Sequence, residues 1–431
     1  MSNSARKDFE VIIVGGGIVG LICAVALQNE GVPVQIYEAA ESFTEIGAAV
    51  AFAPHALEIL RRLDLLDDIF PGSAKQALSA IPIWKRADKE NEVLLEISDD
   101  DLRNGLSWQR PAVHRAKLLD ALSKHIDSAI VHFKKRCKSV SSSPEGRPVV
   151  LFEDGSSLET DVLIGADGIR SKIRSFVTGS EDSRVAFSNT TSYRALVPTK
   201  ELRAAGVKLD IDKRGHIMVG KGKHLFLVPI QEGQLVNVGV AVTDRSIPFS
   251  GSTALAGKWS IDASREEVLA HFSDYDPESE IVKMLRCISK AMKLPIHVVY
   301  PPLESYAMGR VALIGDAAHA MQPFLASGAG MGTEDAYLLS RVLGHPKINR
   351  SNIESALQLY SRLRVPRVRE VWKASQMSCD ILQGYGPLVD TPEGIRKDIR
   401  DLLVADSQRY AQEVDKDVGV AEAFGVLETI V

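Results

Sequence analysis

Three glycines with a fixed spacing, Gly15-x-Gly17-x-x-Gly20, constrain the fold of this chain more than any other feature. They follow a short apolar, β-branched run at 9–14, which predicts a strand buried on both faces. The segment after them, 21–30, predicts a helix, and a second apolar run follows it. Strand, glycine turn, helix and strand form a βαβ unit, so the sequence predicts a parallel sheet covered by helices.

The glycine spacing is typical of a dinucleotide-binding turn. The first glycine permits the tight turn, the second lets the backbone approach a pyrophosphate, and the third packs the helix against the strand. The helix start at Ile18 and Val19 offers free N–H groups and a partial positive charge to phosphates. Glu38, followed by Ala39, ends the second predicted strand at 33–37, where a carboxylate can accept hydrogen bonds from ribose hydroxyls. The sequence therefore predicts a bound dinucleotide.

A second glycine-rich segment favours FAD over NAD as that dinucleotide. A strand predicted at 311–314 leads into Gly315-Asp316, whose carboxylate can accept hydrogen bonds from ribityl hydroxyls. Residues 328–339 predict a helix whose N–H groups can face the N1–C2=O edge of an isoalloxazine and stabilise the anion formed on reduction. The first turn of that helix contains Gly328, Gly330, Met331 and Gly332.

Between about 180 and 290 the pattern changes to short strands separated by glycine turns, which is typical of an antiparallel sheet. We therefore predict an α/β fold, in which a Rossmann-like FAD-binding domain is interrupted by a β-rich substrate-binding domain and followed by C-terminal helices. The predicted parts are 1–180 (FAD-binding, with strands near 76–100 as candidates for the substrate domain), 181–290 (substrate-binding), 291–375 (FAD-binding, returning) and 376–431 (helical tail).

Charge and cysteine content exclude several classes of protein. Lysine and arginine number 51 against 56 aspartate and glutamate, a net charge of −5, so we expect no nucleic-acid partner. The four cysteines lie far apart without a CxxC pair, so the sequence predicts neither a metal site nor a disulfide framework. No segment predicts a signal peptide or a membrane span. We expect a cytoplasmic protein that is a monomer or a homodimer.

Three motifs in this order resemble the single-component FAD-dependent aromatic hydroxylases, and the salicylate-hydroxylase-like and fungal natural-product branch is the most similar. The motifs are VGGGIVG (14–20) with Glu38, DVLIGADG (161–168) and GDAAH (315–319). The resemblance extends over about 8–375. It implies FAD as cofactor, NADPH or NADH and O2 as co-substrates, and hydroxylation of an electron-rich aromatic substrate, a phenolic acid or related phenol, through a flavin C4a-hydroperoxide.

The resemblance also implies roles for individual residues. The glycine motif and its acidic partner hold the ADP half of FAD, and the aspartate of GDAAH holds the ribityl chain. Arg115 matches the family arginine that reaches the FAD phosphate and ribityl region. Asp167 and Gly168 match the Asp-Gly pair that contacts FAD and, by implication, NAD(P)H as it docks. Pro323 and the run 328–332 border the flavin ring.

Candidate substrate contacts come from the β-rich segment. A cation close to the substrate oxygen would favour the phenolate over the phenol. The resemblance implies Arg194 as this cation, because the matching strand in related fungal enzymes carries an arginine over the flavin. In the predicted strand at 193–198 Tyr193 points to the opposite face, so only one of the two residues should enter the pocket. His224 and Phe226 share one face of another predicted strand and are candidates to line the pocket. No nucleophile–base pair is evident, as expected where a cofactor performs the chemistry.

Phe324 stands where salicylate-type members usually have a histidine, so we expect an apolar side chain beside the flavin and a substrate other than salicylate itself. A phenolic acid, a phenolic polyketide and an indole whose double bond is epoxidised or hydroxylated remain open. An FAD oxidase or dehydrogenase on the same scaffold and a non-enzymatic flavin sensor are the alternatives. The Asp167-Gly168 pair argues against an oxidase, and Asp316 with the glycine-rich helix argues against a sensor.

His319, Arg364 and Arg367 are expected to make structural contacts rather than to take part in catalysis. His319, within the GDAAH motif, is expected to make supporting hydrogen bonds rather than act as a catalytic base. Residues 350–380 predict a helix that Pro366 breaks or kinks. Arg364 and Arg367, on either side of that proline, are expected to make helix-surface or interdomain contacts.

Overall fold

The computed structural model describes residues 7–43, 49–71, 81–89, 92–104, 106, 110–181, 184–249, 259–388, 391–410 and 412–429. The strands within these ranges are, in chain order, β1 (Val11–Val14), β2 (Val34–Tyr37), β3 (Ala49–Ala51), β4 (Ile83–Arg86), β5 (Val93–Leu95), β6 (Ala112–His114), β7 (Val131–His132), β8 (Cys137–Ser142), β9 (Pro148–Phe152), β10 (Ser157–Glu159), β11 (Val162–Gly165), β12 (Val185–Pro198), β13 (His216–Gly220), β14 (Lys223–Ile230), β15 (Leu235–Thr243), β16 (Ile261–Ala263), β17 (Ala291–Val299), β18 (Ala307–Met308) and β19 (Val311–Leu313).

The α-helices within the same ranges are α1 (Ile18–Asn29), α2 (Pro54–Arg62), α3 (Leu66–Ile69), α4 (Asp99–Arg103), α5 (Arg115–Ser123), α6 (Ile173–Thr178), α7 (Thr199–Ala204), α8 (Arg265–Ala270), α9 (Glu280–Arg286), α10 (Asp316–His319), α11 (Gly328–Gly344), α12 (Ile353–Leu382), α13 (Pro392–Gln408), α14 (Val414–Asp417) and α15 (Val420–Glu428). Short 3₁₀ turns occupy Ser128–Ile130 and Pro323–Leu325.

The first large sheet confirms the predicted βαβ unit. Its strand order is β18-β19-β11-β1-β2-β7. All neighbouring pairs are parallel except β18 with β19. Every residue of β1 and β11 is buried, because helices cover both faces of a parallel sheet. Helix α1, which follows the glycine turn, packs against α11, so the two glycine-rich segments predicted from sequence are neighbours in space.

The second large sheet is the β-rich part of the chain, in the order β16-β17-β12-β15-β14-β13-β4-β5. It is antiparallel except where β13 runs parallel to β4. Strands β4 and β5, from the range 76–100, lie in this sheet. Strand β17 extends the sheet to Val299, beyond the boundary predicted at residue 290. Pro295 lies within β17, and a proline inside an apolar run weakens any prediction of a strand.

The two faces of the second sheet differ in what covers them. On one face Tyr193 packs into an apolar core with residues of α7, α8 and α9, and its hydroxyl lies 3.0 Å from Glu267 Oε1. Side chains alternate along a strand, so Arg194 lies on the other face. There the β13–β4–β5 side packs under the end of α12 and under α13. The remainder of that face carries the predicted substrate contacts.

Helix α12 rules out a helix break at Pro366, one of the two effects expected from sequence, and corrects one predicted boundary. It continues without interruption from Ile353 to Leu382, with Pro366 in its interior, so Pro366 does not end it. The boundary predicted between 375 and 376 therefore falls inside a helix. Proline removes one backbone hydrogen bond, and the ion pairs that Arg364 and Arg367 make on either side anchor the helix at that point.

Two further classes of feature are absent from the described ranges. None of their helices combines the length and the hydropathy that a membrane-spanning helix needs. Nor do three or more His, Cys, Asp or Glu side chains in these ranges come together in an arrangement that could hold a metal ion.

Candidate active site

Strands of the first sheet end together at one edge, and the loops that follow them line a cleft of about 850 Å³. Val14, at the end of β1, pairs with Tyr37 of β2 and with Gly165 of β11, so these strands stop level with one another. Ligands of open α/β sheets bind at the carboxyl ends of the strands. The predicted cofactor contacts that line the cleft are Gly15, Gly17, Ile18, Val19, Glu38, Ala39, Arg115, Asp167, Gly168, Asp316 and Gly328.

The glycine turn after β1 leaves bare backbone on the cleft side. Gly15 has φ +111°, and a Cβ there would lie 2.2 Å from the carbonyl oxygen of Ala166. A Cβ on Gly20 would lie 2.0 Å from the carbonyl oxygen of Gly15, so Gly20 permits close packing of helix and strand. Gly17 has no atom within 4 Å of the Cβ position, and α1 begins there without a side-chain cap. Its free N–H groups can therefore bind a pyrophosphate.

Glu38 has a second function that the sequence does not reveal. One carboxylate oxygen accepts a hydrogen bond from the Gly16 N–H at 2.5 Å, and the other accepts one from the Ala40 N–H at 2.7 Å. Glu38 thereby ties the glycine turn to the end of β2. Each carboxylate oxygen has a further lone pair, so Glu38, which lines the cleft, can also accept hydrogen bonds from ribose hydroxyls.

A second helix begins at the cleft without a side-chain cap. The Ser327 hydroxyl, which precedes α11, donates to the Leu325 carbonyl at 3.0 Å instead of capping the helix. Gly328 and Ala329 line the cleft. Two uncapped N-termini, those of α1 and α11, therefore present partial positive charge to one cleft. FAD matches this pair, because its pyrophosphate is anionic and its ring gains negative charge on reduction.

The rest of the α11 glycine run serves helix packing. A Cβ on Gly332 would lie 2.4 Å from Cγ2 of Val19, so this glycine allows α11 to approach α1 closely. Gly330 faces α2, and Met331 is fully buried. The structure does not bring these three residues into the lining of the cleft. Pro323, predicted beside the flavin ring, is exposed at the start of the 3₁₀ turn that precedes α11.

Arg115 and Asp316 place opposite charges in the cleft. Arg115 is the first residue of α5, and Asp316 is the first residue of α10. Burial lowers the pKa of Arg115, while the nearby Asp316 carboxylate acts in the opposite direction. An arginine stays protonated despite such a shift. This arrangement can provide a cation for the cofactor phosphate and an acceptor for ribityl hydroxyls.

Asp167 has a buried oxygen that lacks a hydrogen-bond partner within the part of the chain that the structure describes. Its Oδ2 accepts a hydrogen bond from the Lys172 N–H at 2.8 Å, just before α6 begins. Its Oδ1 is buried and has no hydrogen-bond partner among the described residues. Burial raises the pKa of this carboxyl group. A buried acceptor normally has a donor, and a hydroxyl group of FAD is a suitable one, so the residues of the cleft fit FAD.

Residues 8–375 match the FAD binding domain family. Salicylate hydroxylase from Pseudomonas putida is 33% identical over 432 residues, which cover 98% of this chain and 95% of that protein. The chain belongs to the FAD-dependent aromatic hydroxylases. An FAD-dependent monooxygenase from Aspergillus terreus is 31% identical over 412 residues, 90% of each chain. A solved salicylate hydroxylase substrate complex has a TM-score of 0.84 at 25% identity, covering 97% of this chain and 98% of that one.

Membership of this family confirms the predicted cofactor and the fold class. The flavoprotein binds FAD, as the match to the FAD binding domain family over most of the chain shows. The arrangement of a βαβ FAD-binding part and a β-rich part with C-terminal helices is that of salicylate hydroxylase.

The predicted substrate contacts of the flavoprotein lie outside the cofactor cleft, on the second sheet. Arg194 of β12 and Phe226 of β14 are both paired with Gly239 of β15, so they lie on the same face. Phe324 packs onto this face from the 3₁₀ turn: its ring centroid is 4.9 Å from that of His224 and 6.3 Å from that of Phe226. The structure therefore groups His224, Phe226 and Phe324, with Arg194 across β15 from them.

Arg194 and His224 differ in charge. Burial lowers the pKa of His224 to about 3, so its ring is neutral near pH 7. Its Nδ1 lies 3.3 Å from Nε2 of Gln383, a residue at the end of α12 that no sequence motif indicates. Burial also lowers the pKa of Arg194, which nevertheless stays protonated. Within the described ranges its guanidinium has no hydrogen-bond or ion-pair partner.

Arg364 is the main correction to the sequence-based expectation for the flavoprotein. It is predicted as a surface or interdomain residue, yet it is fully buried. Its guanidinium donates to Asp335 Oδ1 at 2.8 Å, to Glu334 Oε2 at 2.9 Å and to the Met331 carbonyl at 3.2 Å. Although burial alone would lower the pKa of Arg364, the two carboxylates raise it.

Asp335 extends this network to the GDAAH loop. Its Oδ2 accepts a hydrogen bond from the Gly315 N–H at 2.9 Å and lies 2.5 Å from His319 Nε2. Burial alone would raise the pKa of Asp335, but His319 and Arg364 lower it to about 2. His319 thus makes the supporting hydrogen bond expected from sequence. Arg364 therefore connects the start of α11 with the loop that carries Asp316.

Arg367 belongs to the same cluster but contacts neither loop. It forms two hydrogen bonds with Glu334, at 2.6 and 2.8 Å, and a third contact of 3.2 Å with Nδ1 of His55 in α2. Its side chain is 16% exposed. Arg367 therefore provides a matched comparison for Arg364.

We expect Glu38→Ala to weaken FAD binding about tenfold or more. A hydrogen bond to a charged group contributes about 1.5–3 kcal/mol, and Glu38 holds the glycine turn and lines the cleft where a ribose hydroxyl can donate to it. Titration of the apoprotein with FAD measures the change. Glu153→Ala is the control, because Glu153 lines the same cleft with the same charge but is 60% exposed. Wild-type FAD affinity in Glu38→Ala would contradict the ribose assignment.

We expect Arg364→Met to lower the free energy of unfolding by about 3–5 kcal/mol, because it removes the buried positive charge that Glu334 and Asp335 share, and to weaken FAD binding. Arg364→Lys keeps the charge but cannot reach both carboxylates and the Met331 carbonyl together. It should retain the fold and still bind FAD less tightly. Arg367→Met should leave FAD affinity close to that of the wild type. Equal losses of FAD affinity in Arg364→Lys and Arg367→Met would show that Arg364 does not connect the two loops.

We expect the destabilisation caused by His224→Gln to depend on pH. The unfolded chain binds a proton at this histidine below about pH 6.5, whereas the folded chain does not until about pH 3. The wild-type protein therefore loses stability on acidification, by up to about 1.4 kcal/mol per pH unit from this group. Urea unfolding at pH 7.5 and 5.5 should show a smaller effect of the substitution at the lower pH. The same effect at both pH values would mean that His224 takes up a proton in the folded protein as readily as in the unfolded chain.

Proposed function

We propose that this flavoprotein hydroxylates a small phenolic acid or related phenol, with NADPH or NADH as reductant and O2 as oxidant. The observation that carries the proposal is Arg194, a partly buried arginine whose guanidinium has no partner among the described residues. A buried charge is costly unless an opposite charge or hydrogen-bond partner compensates it. The phenolate or carboxylate of an aromatic substrate would supply that partner.

The residues of the chain bind and orient the substrate. When bound, FAD supplies the redox chemistry and the activation of O2. Arg194 holds the anionic oxygen of the substrate and favours the phenolate, whose ring is the more electron-rich form. Phe226 and Phe324 exclude water from the same face. Neutral His224 packs between these rings and adds no second charge.

The surroundings of Asp167 and Gly168 support docking of NAD(P)H. Arg170 and Lys172 follow this pair, are exposed, and line the same cleft. The guanidinium of Arg170 lies 4.5 Å from the ring centroid of Trp259. Positive side chains beside an open cleft can bind the pyrophosphate of a nicotinamide nucleotide during reduction.

Arg194 also favours a phenolic acid over the other candidate substrates. An indole carries no anionic group for this guanidinium, and an FAD oxidase needs no docking site for a nicotinamide.

The four cysteines are unpaired, which supports the cytoplasm, a reducing compartment, as the location. A monomer or homodimer remains the expected assembly.

Oxygen consumption by the FAD-loaded protein tests the proposed function. NADH or NADPH is supplied with and without a panel of phenolic acids and indoles, and hydrogen peroxide is assayed in the same samples. We expect a phenolic acid to stimulate consumption with little peroxide. Uptake that needs no nicotinamide and returns its equivalent as peroxide would identify an oxidase instead.

Arg194→Met tests the residue that carries the proposal. We expect the KM for a phenolic acid to rise about tenfold or more, because a hydrogen bond to a charged group contributes about 1.5–3 kcal/mol, while FAD affinity stays unchanged. Arg265→Met is the control, since α8 covers the opposite face of the same sheet. An unchanged KM in Arg194→Met would remove Arg194 from substrate binding.

A further inference from the structure

Strand β15 has a glycine in the row of side chains that contains Arg194. Arg194 pairs with Gly239 on one side of β15, and Phe226 pairs with Gly239 on the other. Residues paired directly across antiparallel strands point to the same face. A guanidinium and an aromatic ring therefore flank a position that has no side chain.

The fold itself does not require glycine at this position. Gly239 is not among the glycines with positive φ, so its backbone accepts any residue. The nearest atoms to a Cβ built there belong to Phe226, at 3.7–3.9 Å, which is ordinary contact. Glycine inside a strand costs stability relative to alanine, and it often marks a place where a ligand approaches the backbone closely.

Gly239 lies where this face of the sheet passes from buried to exposed. One row further along, Leu196 and Val228 are 59% and 43% exposed. In the opposite direction, Ala241 and His224 are buried, and Phe324 packs over both. The position between Arg194 and Phe226 is therefore closed at one end by Phe324 and open at the other.

We propose that Gly239 forms the subsite for the aromatic ring of the substrate. A flat ring packs against the bare backbone of β15, with its anionic substituent on Arg194 and one edge beside Phe226. The inference rests on the proposed function and specifies the substrate further. It is an aromatic acid with no group that projects from the ring face packed against β15. Any side chain at position 239 would occupy the place of that ring.

Gly239→Ala and Gly239→Val test this subsite, with salicylate as the probe, because it carries the flat ring and the anionic group of the proposed substrate class although another phenolic acid is expected to be the substrate itself. The dissociation constant is measured by titrating the visible absorption of the FAD-loaded protein. We expect a several-fold increase for Gly239→Ala and an increase of about tenfold or more for Gly239→Val, because added methyl groups overfill a tight site. FAD affinity should not change. The melting temperature of Gly239→Ala should equal or exceed that of the wild type, since alanine replaces glycine without strain.

Gly425→Ala is the matched control. Gly425 is exposed in α15, and no atom lies within 4 Å of its Cβ position, so this variant should keep the wild-type salicylate affinity. Weaker salicylate binding together with undiminished stability in Gly239→Ala would support the subsite. Salicylate binding that Gly239→Val leaves unchanged would overturn this inference alone. Failure of the wild-type protein to bind any of a panel of phenolic acids would overturn the proposed function and the inference with it.

Discussion

The cofactor side of this protein depends on the hydrogen bonds and ion pairs that the buried guanidinium of Arg364 makes. Removing an arginine and two carboxylates from water is costly, and such a group is stable only when its hydrogen bonds are satisfied. Here Arg364 donates to both carboxylates and to a backbone carbonyl. Because Asp335 also accepts from the Gly315 N–H, two loops that approach FAD share one support. The positions of the α11 N-terminus and of Asp316 are thus set by a charge cluster whose residues do not line the cofactor cleft.

Local sequence patterns predict the cofactor cleft well and the charge cluster poorly. The glycine turn, Glu38 and Asp316 each follow a strand, and parallel strands bring their carboxyl ends to one edge, so short motifs suffice. Arg364 and Arg367 lie in a long helix, where charged residues normally face solvent. Only the partners of Arg364 on α11 show that it is buried, and those partners are about thirty residues away along the chain.

On the substrate side, too, sequence patterns predict some features and miss others. The alternation of side chains correctly separates Tyr193 from Arg194. The first half of β12 is missed, because it is rich in Ser, Asn and Thr and contains a register shift between Phe187 and Thr191. Gln383, which contacts His224, lies at the end of α12, and no motif connects the two. Contacts between distant segments decide the electrostatics of this face, and a pattern of a few residues does not record them.

The 3₁₀ turn at Pro323–Leu325 has a consequence for how such an enzyme can change. Phe324 reaches the second sheet, and Gly328, only four residues later, begins the helix at the flavin cleft. Ala326 between them has φ +51°, a backbone conformation that residues other than glycine seldom adopt, so this connection is tightly constrained. A mutation that reshapes the turn to admit a new substrate would also shift the start of α11, whose uncapped N-terminus lies at the cofactor cleft. A mutation in this turn would therefore change substrate selectivity and flavin reactivity together. A change in only one of these properties would have to come from another part of the pocket.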